Sequence, residues 1–151
     1  MDLQLGYNEK KFGANSFYSA KYPNQYEHTQ RMIASLRGGL GGERLRLLPT
    51  IYWDREYDCF ELVRGTTFGQ NHHIVNNYGA GLIANYSSLL GTTTLGGELR
   101  YEEVIGNKLG TPRAKPESYY TKFGSRTNVS LSLEHTVKLD KWLISAGTLM
   151  S

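Results

Sequence analysis

Apolar and polar residues alternate one by one along much of the chain. From Tyr78 one side reads Tyr78, Ala80, Leu82, Ala84, Tyr86, and the other reads Gly79, Gly81, Ile83, Asn85. The pattern restarts after "SSLLG", with Thr93, Leu95, Gly97, Leu99, Tyr101 against Thr94, Gly96, Glu98, Arg100, Glu102. A third run sets Thr127, Val129, Leu131, Leu133, His135 against Arg126, Asn128, Ser130, Ser132, Glu134. A period of two is that of an extended strand with one apolar face.

Three earlier or later stretches follow less cleanly. Leu45, Leu47, Pro49, Ile51 and Trp53 alternate, but Pro49 cannot donate to a ladder and predicts a bulge or local break. His28 to Arg37 alternates, although Met32, Ile33, Leu36 and Leu40 also have helical spacing. The strand reading is taken, because its neighbours are strands and "GGLGG" follows as a turn. Trp142 to Met150 is apolar on both faces and is read as a last strand. The expected elements are strands near 26–37, 43–56, 75–87, 92–103, 125–136 and 141–150. Together they make an all-β, antiparallel up-and-down meander. Tyr78, Leu82, Leu95, Leu99, Val129 and Leu131 are expected to share a face.

The connections alternate between short and long. "RGGLGG", "SSLLG" and the region near "VKLDK" are tight, whereas Asn8–Gln25, Arg55–Asn76 and Glu103–Gly124 each leave a polar gap. Long structureless loops are uncommon in a compact domain. Tight turns at one end and long loops at the other are the habit of outer-membrane barrels.

Composition points the same way. Of 151 residues, 39% are hydrophobic, below the usual globular share, while Tyr numbers 11 and Gly 17. No apolar run approaches the ~18 residues of a transmembrane helix, but a membrane β-strand needs only ~9–11 residues of alternation. A net charge of +3 without a Lys/Arg run gives no reason to expect nucleic acid. The single Cys59 excludes an internal disulfide. The opening "MDLQLGYNEKK" has neither the basic start nor the apolar core of a secretory signal.

Two further features favour a lipid-facing sheet. Tyr78, Tyr86, Trp53, Tyr101 and Trp142 sit at the ends of apolar faces, as in the aromatic girdles of membrane barrels. Arg44, Arg46, Glu98, Arg100, Arg126 and Glu134 all fall on the polar side. A soluble β-sandwich or small barrel that binds a ligand or glycan would also alternate, with its apolar face inward. An enzyme on a β scaffold is a third possibility that no catalytic constellation supports.

"LGYNEKKFGANSFYSAKYPNQYEHT", "LLPTIYWDREYDCFEL", "LGGELRYEEVIGNKLG" and "VSLSLEHTVKLDKWLISAGTLMS" resemble the barrel of TonB-dependent outer-membrane receptors, in particular the vitamin-B12 (cobalamin) type. The resemblance covers nearly the whole chain. It implies a location in the cell outer membrane, contact with the lipid bilayer, and import of a scarce, bulky nutrient. The family combines a plug with a barrel of roughly 22 strands and works with TonB. This chain shows neither plug nor TonB box, and it ends "GTLMS" rather than in an aromatic strand. It is therefore expected to be a partial barrel domain over 1–151, of about six or seven strands. The rest of the barrel and plug, TonB and a ligand such as cobalamin are its implied partners.

Under that reading the ligand is caught on the long loops. Phe17, Tyr18 and Tyr22 offer rigid contact area, and Asn15, Asn24 and Gln25 offer donors and acceptors without net charge. The same aromatics could instead pack the loop against the wall. Asp54, Glu56 and Asp58 lie on one side of an extended segment and could hold Ca²⁺, which the resemblance also implies for the outer loops, or form a solvated acidic rim. No other cofactor is expected. His72 and His73 are adjacent and point opposite ways in an extended chain, which argues against joint ligation. Glu98 and Glu102 flank Arg100 as a charge ladder, "GGLGGE" reads as a hairpin turn, and the Asn85 and Asn128 sequons fall inside strands.

Overall fold

The computed structural model describes residues 1–151 and is all-β. Its strands are β1 Asp2–Gly13, β2 Tyr26–Arg37, β3 Leu40–Gly41, β4 Leu45–Glu61, β5 Asn71–Ser88, β6 Gly91–Gly106, β7 Thr111–Glu117, β8 Tyr120–Leu139 and β9 Trp142–Met150. All nine join one antiparallel sheet in the order β1-β2-β4-β5-β6-β8, with β9 and β7 both on the far edge of β8 and β3 on β4. The sheet is open. Of 98 backbone–backbone hydrogen bonds, 88 lie within its strands, so the ladder rather than a core holds the chain together.

The meander and all six expected strands fall close to their expected places, among them β2, a strand despite its helical spacing. Two expectations are corrected. Asp2–Gly13 is a strand paired along its whole length with β2, where no strand was expected and a loop was to open at Asn8. The long connections are also shorter than expected, because β4, β5, β6 and β8 run on well past the apolar pattern. What remains is 14–25, 62–70 and 107–119, and the last contains β7.

Pro49 produces a break without a slip. Its carbonyl accepts from the Gly38 amide at 2.8 Å, but its missing N–H leaves the reciprocal bond unmade. The β2–β4 ladder stops at Arg37 and Thr50, then resumes in the same register through β3. Gly38 permits this, since a Cβ there would press on the Pro49 ring.

Register aligns the apolar positions into rows across the sheet. Leu3, Leu36, Ile51, Ala80, Leu99 and Val129 form one row. Pro49, Leu82, Gly97, Leu131 and Met150 form another. Toward the long loops the band ends in a row containing Trp53, Tyr78 and Tyr101, and toward the tight turns it ends near Tyr86. Tyr78 to Tyr86 is eight steps of ~3.3 Å, about 27 Å along the strand. Past the aromatic row the same face turns polar. The Trp53 Nε1–H donates to Asn76 Oδ1 at 3.4 Å, and Asn76 Nδ2 donates to Glu103 at 2.9 Å.

Nothing covers the apolar band. Leu82, Leu99 and Val129 are 46%, 51% and 56% exposed, and the only buried hydrophobic residues are Ala14 and Cys59. The opposite face is hollow and mostly polar, interrupted by Leu48, Ile83 and Leu149. One depression is lined from Arg37 on β2 to Leu149 on β9, with Tyr52, Glu98 and Ser130 between them. Tyr52 lies across Gly79, where a Cβ would overlap its ring, and its hydroxyl donates to Glu98 at 2.7 Å.

Candidate functional site

Two neighbouring connections at the same end of the sheet, 14–25 and 62–70, are built as one unit. The Arg64 amide donates to the Asn24 carbonyl at 2.8 Å, and Tyr22 packs against Phe68 with centroids 5.9 Å apart. Arg64 also stacks its guanidinium over Tyr26 at 4.5 Å. Both loops therefore hang from the outer ends of β1, β2, β4 and β5.

Gln25 shapes the first loop. It has no exposed surface; its Oε1 accepts from the Tyr18 amide at 3.2 Å, and its Nε2 donates to the Ser19 carbonyl at 3.2 Å. Ala14, also buried, closes the loop base by donating its amide to the Gln25 carbonyl at 3.0 Å. Gln25 is therefore an internal brace of the loop and offers no contact surface of its own. Gln25→Ala removes both side-chain bonds and leaves the Tyr18 amide unmatched. About 2 kcal/mol of local stability is expected to go. Hydrogen exchange would show it as faster exchange confined to 14–25, and exchange equal to wild type would show that the brace is dispensable.

The loop leans over the polar face. Tyr18 meets Phe60 edge-on at 4.9 Å, and its hydroxyl donates to Glu27 at 3.1 Å, which pushes its own ionisation upward. Phe17 adds a second edge contact to Tyr18 at 4.9 Å and is itself 80% exposed. The result is a short aromatic shelf above an acidic wall. The six loop residues singled out from sequence thus divide into four groups. Phe17, Tyr18 and Tyr22 form the aromatic surface, Gln25 is the internal brace, and Asn24 carries the tie between loops through its backbone. Asn15 sits at the loop's first turn, beside the residue Ser16 with φ of 58°. Phe60, Phe68 and Arg64 were not picked out from sequence. An isolated aromatic in a polar stretch was their only signal.

The acidic wall does not assemble a metal centre. Asp54, Glu56 and Asp58 share one face of β4, but strand spacing separates successive members by ~6.6 Å. Arg31 holds Asp54 through two bonds of 3.0 and 2.7 Å. No group of three His, Cys, Asp or Glu side chains is placed to hold an ion, so no step is assigned to Ca²⁺. Asp58 has its carboxyl pushed above the ordinary range, first by burial and then by Glu27, and its nearest cation candidate, His73 Nδ1, is 3.9 Å away.

His72 and His73 do point opposite ways. His73 lies on the polar face over Gly106, while His72 is buried on the other face, stacked on Tyr119 at 4.0 Å with its Nε2 3.9 Å from Cys59 Sγ. Burial pushes the Cys59 thiol up and the His72 imidazole down, so the pair is neutral and structural rather than an activated thiolate. Farther down the polar wall, Arg100 and Arg126 both bind Glu102, the former at 2.9 Å. Glu98 is engaged by Tyr52. The pair Glu98 and Glu102 is thus a satisfied ladder rather than a free acid and base.

No protein-family model, curated protein or solved structure matches the chain. The class the geometry itself defines is an open antiparallel meander with a bare apolar band, a hollow polar face and joined loops at one end.

Proposed function

We propose that the chain is part of the barrel of an outer-membrane TonB-dependent receptor that binds and imports a scarce, bulky nutrient of the cobalamin or siderophore kind. The observation that carries this is the uncovered apolar band, bounded toward the long loops by the row of Trp53, Tyr78 and Tyr101. In water, apolar rows spanning six strands would demand a second layer. All nine strands belong to one sheet, and none folds back over the band. A bilayer supplies the missing layer. At the tilt of membrane strands, 27 Å along the chain becomes about 20 Å of height, close to the ~25 Å apolar band of such barrels. Trp53 supports the boundary, with its ring in the band and its N–H bonded to Asn76 just beyond.

The soluble β-sandwich or small barrel is the other reading, and it needs that second layer from elsewhere. Fractionation separates the two. The protein carrying this sequence is expected in the outer membrane, resisting alkaline extraction and needing detergent to stay dispersed. Recovery as a dispersed protein without detergent would sink the receptor reading.

Ligand capture is assigned to the joined loops. With Gln25 committed to the brace, the informative substitutions are Asn15→Ala, Tyr18→Ala and Asn24→Ala in the assembled receptor. Each is expected to weaken ligand binding by ~1–2 kcal/mol, the worth of a hydrogen bond or an aromatic contact. Assembly, followed by heat-modifiable gel mobility, should stay normal. Unchanged affinity with normal assembly would remove the binding role. Failed assembly would assign these residues to packing.

A further inference from the structure

The connection 107–119 carries β7, which turns back as a hairpin onto the start of β8. Residues 107–122 hold Lys108, Arg113, Lys115 and Lys122 against a single carboxylate, Glu117. Four cations less one carboxylate leave +3, the net charge of the whole chain, so the remaining residues balance among themselves. Elsewhere at this end cations are matched, Lys11 by Glu9 and Arg31 by Asp54. In the hairpin no cation is paired with a carboxylate. Arg113 and Lys122 donate instead to the carbonyls of Tyr120 and Lys108, each at 3.1 Å, and Lys108 and Lys115 are exposed. Like charges gathered this way repel one another and favour an anion from outside.

The hairpin is clamped to the side of the sheet that bears the apolar band. Asn107 Nδ2 donates to the Gln70 carbonyl at 2.8 Å, and its Oδ1 accepts from the His72 amide at 3.1 Å. Tyr119 stacks on the His72 ring at 4.0 Å, and His72 lies on the same face of β5 as Tyr78. The basic segment is thus held at the outer flank and not over the hollow face. Its depth suits a bilayer surface. Lys122 is five residues past Thr127, which pairs with Tyr101 of the aromatic row. Five steps of ~3.3 Å give about 16 Å along the strand and, at the tilt of membrane strands, about 12 Å of height. A lysine stem spans ~6 Å of that, and the headgroup layer is roughly 5–8 Å thick.

We propose that the hairpin 107–122 docks on an anionic lipid surface, with Lys108, Lys115 and Lys122 reaching the lipid phosphates. Lys122 keeps two of its three N–H donors for this after bonding the Lys108 carbonyl. Asn107, Arg113 and the Tyr119–His72 stack are positioning groups that hold the hairpin in shape and on that flank. The contact sets how deep this end of the sheet sits. The inference rests on the membrane reading.

Lysine acetylation of the wild-type protein tests it, so no variant has to fold. The protein is inserted into vesicles of phosphatidylcholine alone or of phosphatidylcholine mixed with phosphatidylglycerol, and mass spectrometry reads the rate at each lysine. Lys108, Lys115 and Lys122 are expected to react about fivefold more slowly in the anionic vesicles, the effect of ~1 kcal/mol of attraction per cation. Lys10 is the internal control, exposed at the same end of the sheet but on the polar face, in the row of Thr29 and Asp58. Its rate is expected to be equal in both vesicles. Equal rates at the three hairpin lysines overturn the inference, and so does equal slowing of Lys10, which would report the field of the bilayer over the whole end. Soluble glycerol 3-phosphate, added to the protein in phosphatidylcholine, is expected to protect nothing. Protection by it would assign the hairpin to a dissolved phosphate and overturn the lipid assignment. A protein that floats with neither kind of vesicle means that the membrane reading has failed, whereas insertion into both without protection overturns only the present inference.

Discussion

Leu99→Arg is expected to cost about 2 kcal/mol of folding free energy in lipid, between the ~2–4 kcal/mol penalty for arginine at the midplane of a barrel's outer face and the ~0–1 kcal/mol at its interfaces. Leu99 sits in the row from Leu3 to Val129, two positions inside Tyr101 on β6, and its side chain meets no other layer. Two controls give the number its meaning. Ser130→Arg lies one residue from the same row but on the polar face, directly across from Glu98. A carboxylate awaits that charge, and little or no cost is expected. Tyr86→Arg lies on the apolar face near the tight turns, where arginine reaches the interface and the penalty falls to ~0–1 kcal/mol. Denaturant titration of the protein folded into lipid vesicles measures all three. A flat response, with Leu99→Arg no worse than Ser130→Arg, would show that the band faces water, since exposed substitutions stay within ~0.5 kcal/mol. A loss that ignores depth would point to a protein core.

Gly91→Ala is expected to cost about 3 kcal/mol. Gly91 opens β6 after the tight turn through Leu89 and Leu90, and it holds φ at 130°, which L-residues rarely adopt. Its missing side chain matters a second time, because a Cβ there would overlap the Thr136 carbonyl oxygen of β8. The new methyl must therefore distort either the β5–β6 turn or the lower β6–β8 ladder, and no flexible side chain can yield. Gly42→Ala is the matched control, since Gly42 lies in another tight connection and a Cβ there meets nothing within 4 Å. It is expected to be neutral within ~0.5 kcal/mol. Equal unfolding midpoints for the two variants would defeat the argument from close approach.

The contrast between these two sites shows where sequence reading succeeds. Leu99 was assigned to its face from alternation alone, because a strand has only two faces and a period of two leaves no third choice. Nothing in "SSLLGTTT" identifies Thr136 as the residue that crowds Gly91. That contact follows from β6–β8 register, which is a property of the paired sheet. β1 was missed for a related reason. Leu3, Leu5 and Tyr7 alternate, but Glu9 and Lys11 then occupy the same face and erase the pattern. There Lys11, His28 and Gln30 hydrogen-bond Glu9 and hold its carboxyl down at about 2.

The overlong loop estimates have the same cause. Beyond the aromatic row charged and amide residues fall on both faces of β4, β5 and β6, and the apolar pairs Ile74–Ile105 and Val75–Val104 lie on opposite faces, so the alternation is lost and the composition reads as a loop. Cross-strand hydrogen bonding keeps them extended, and that bonding leaves no mark on side-chain periodicity. The loop site divides similarly. Its aromatic and amide composition was plain in "GANSFYSAKYPNQYEHT", but the roles were not. Gln25 and Asn24 are adjacent and chemically alike. Only the folded loop makes the first a buried brace and the second a tie to Arg64.

The sequence by itself determined the all-β class, the alternation that gives the sheet an apolar and a polar face, and the tight turns that make it a meander. These depend on interactions between near neighbours, which order along the chain records. The tertiary structure alone decided how far the strands extend, that 14–25 and 62–70 form one unit, and that three carboxylates of β4 do not converge. Each of these depends on register between strands distant in sequence, where a shift of one residue would exchange every face.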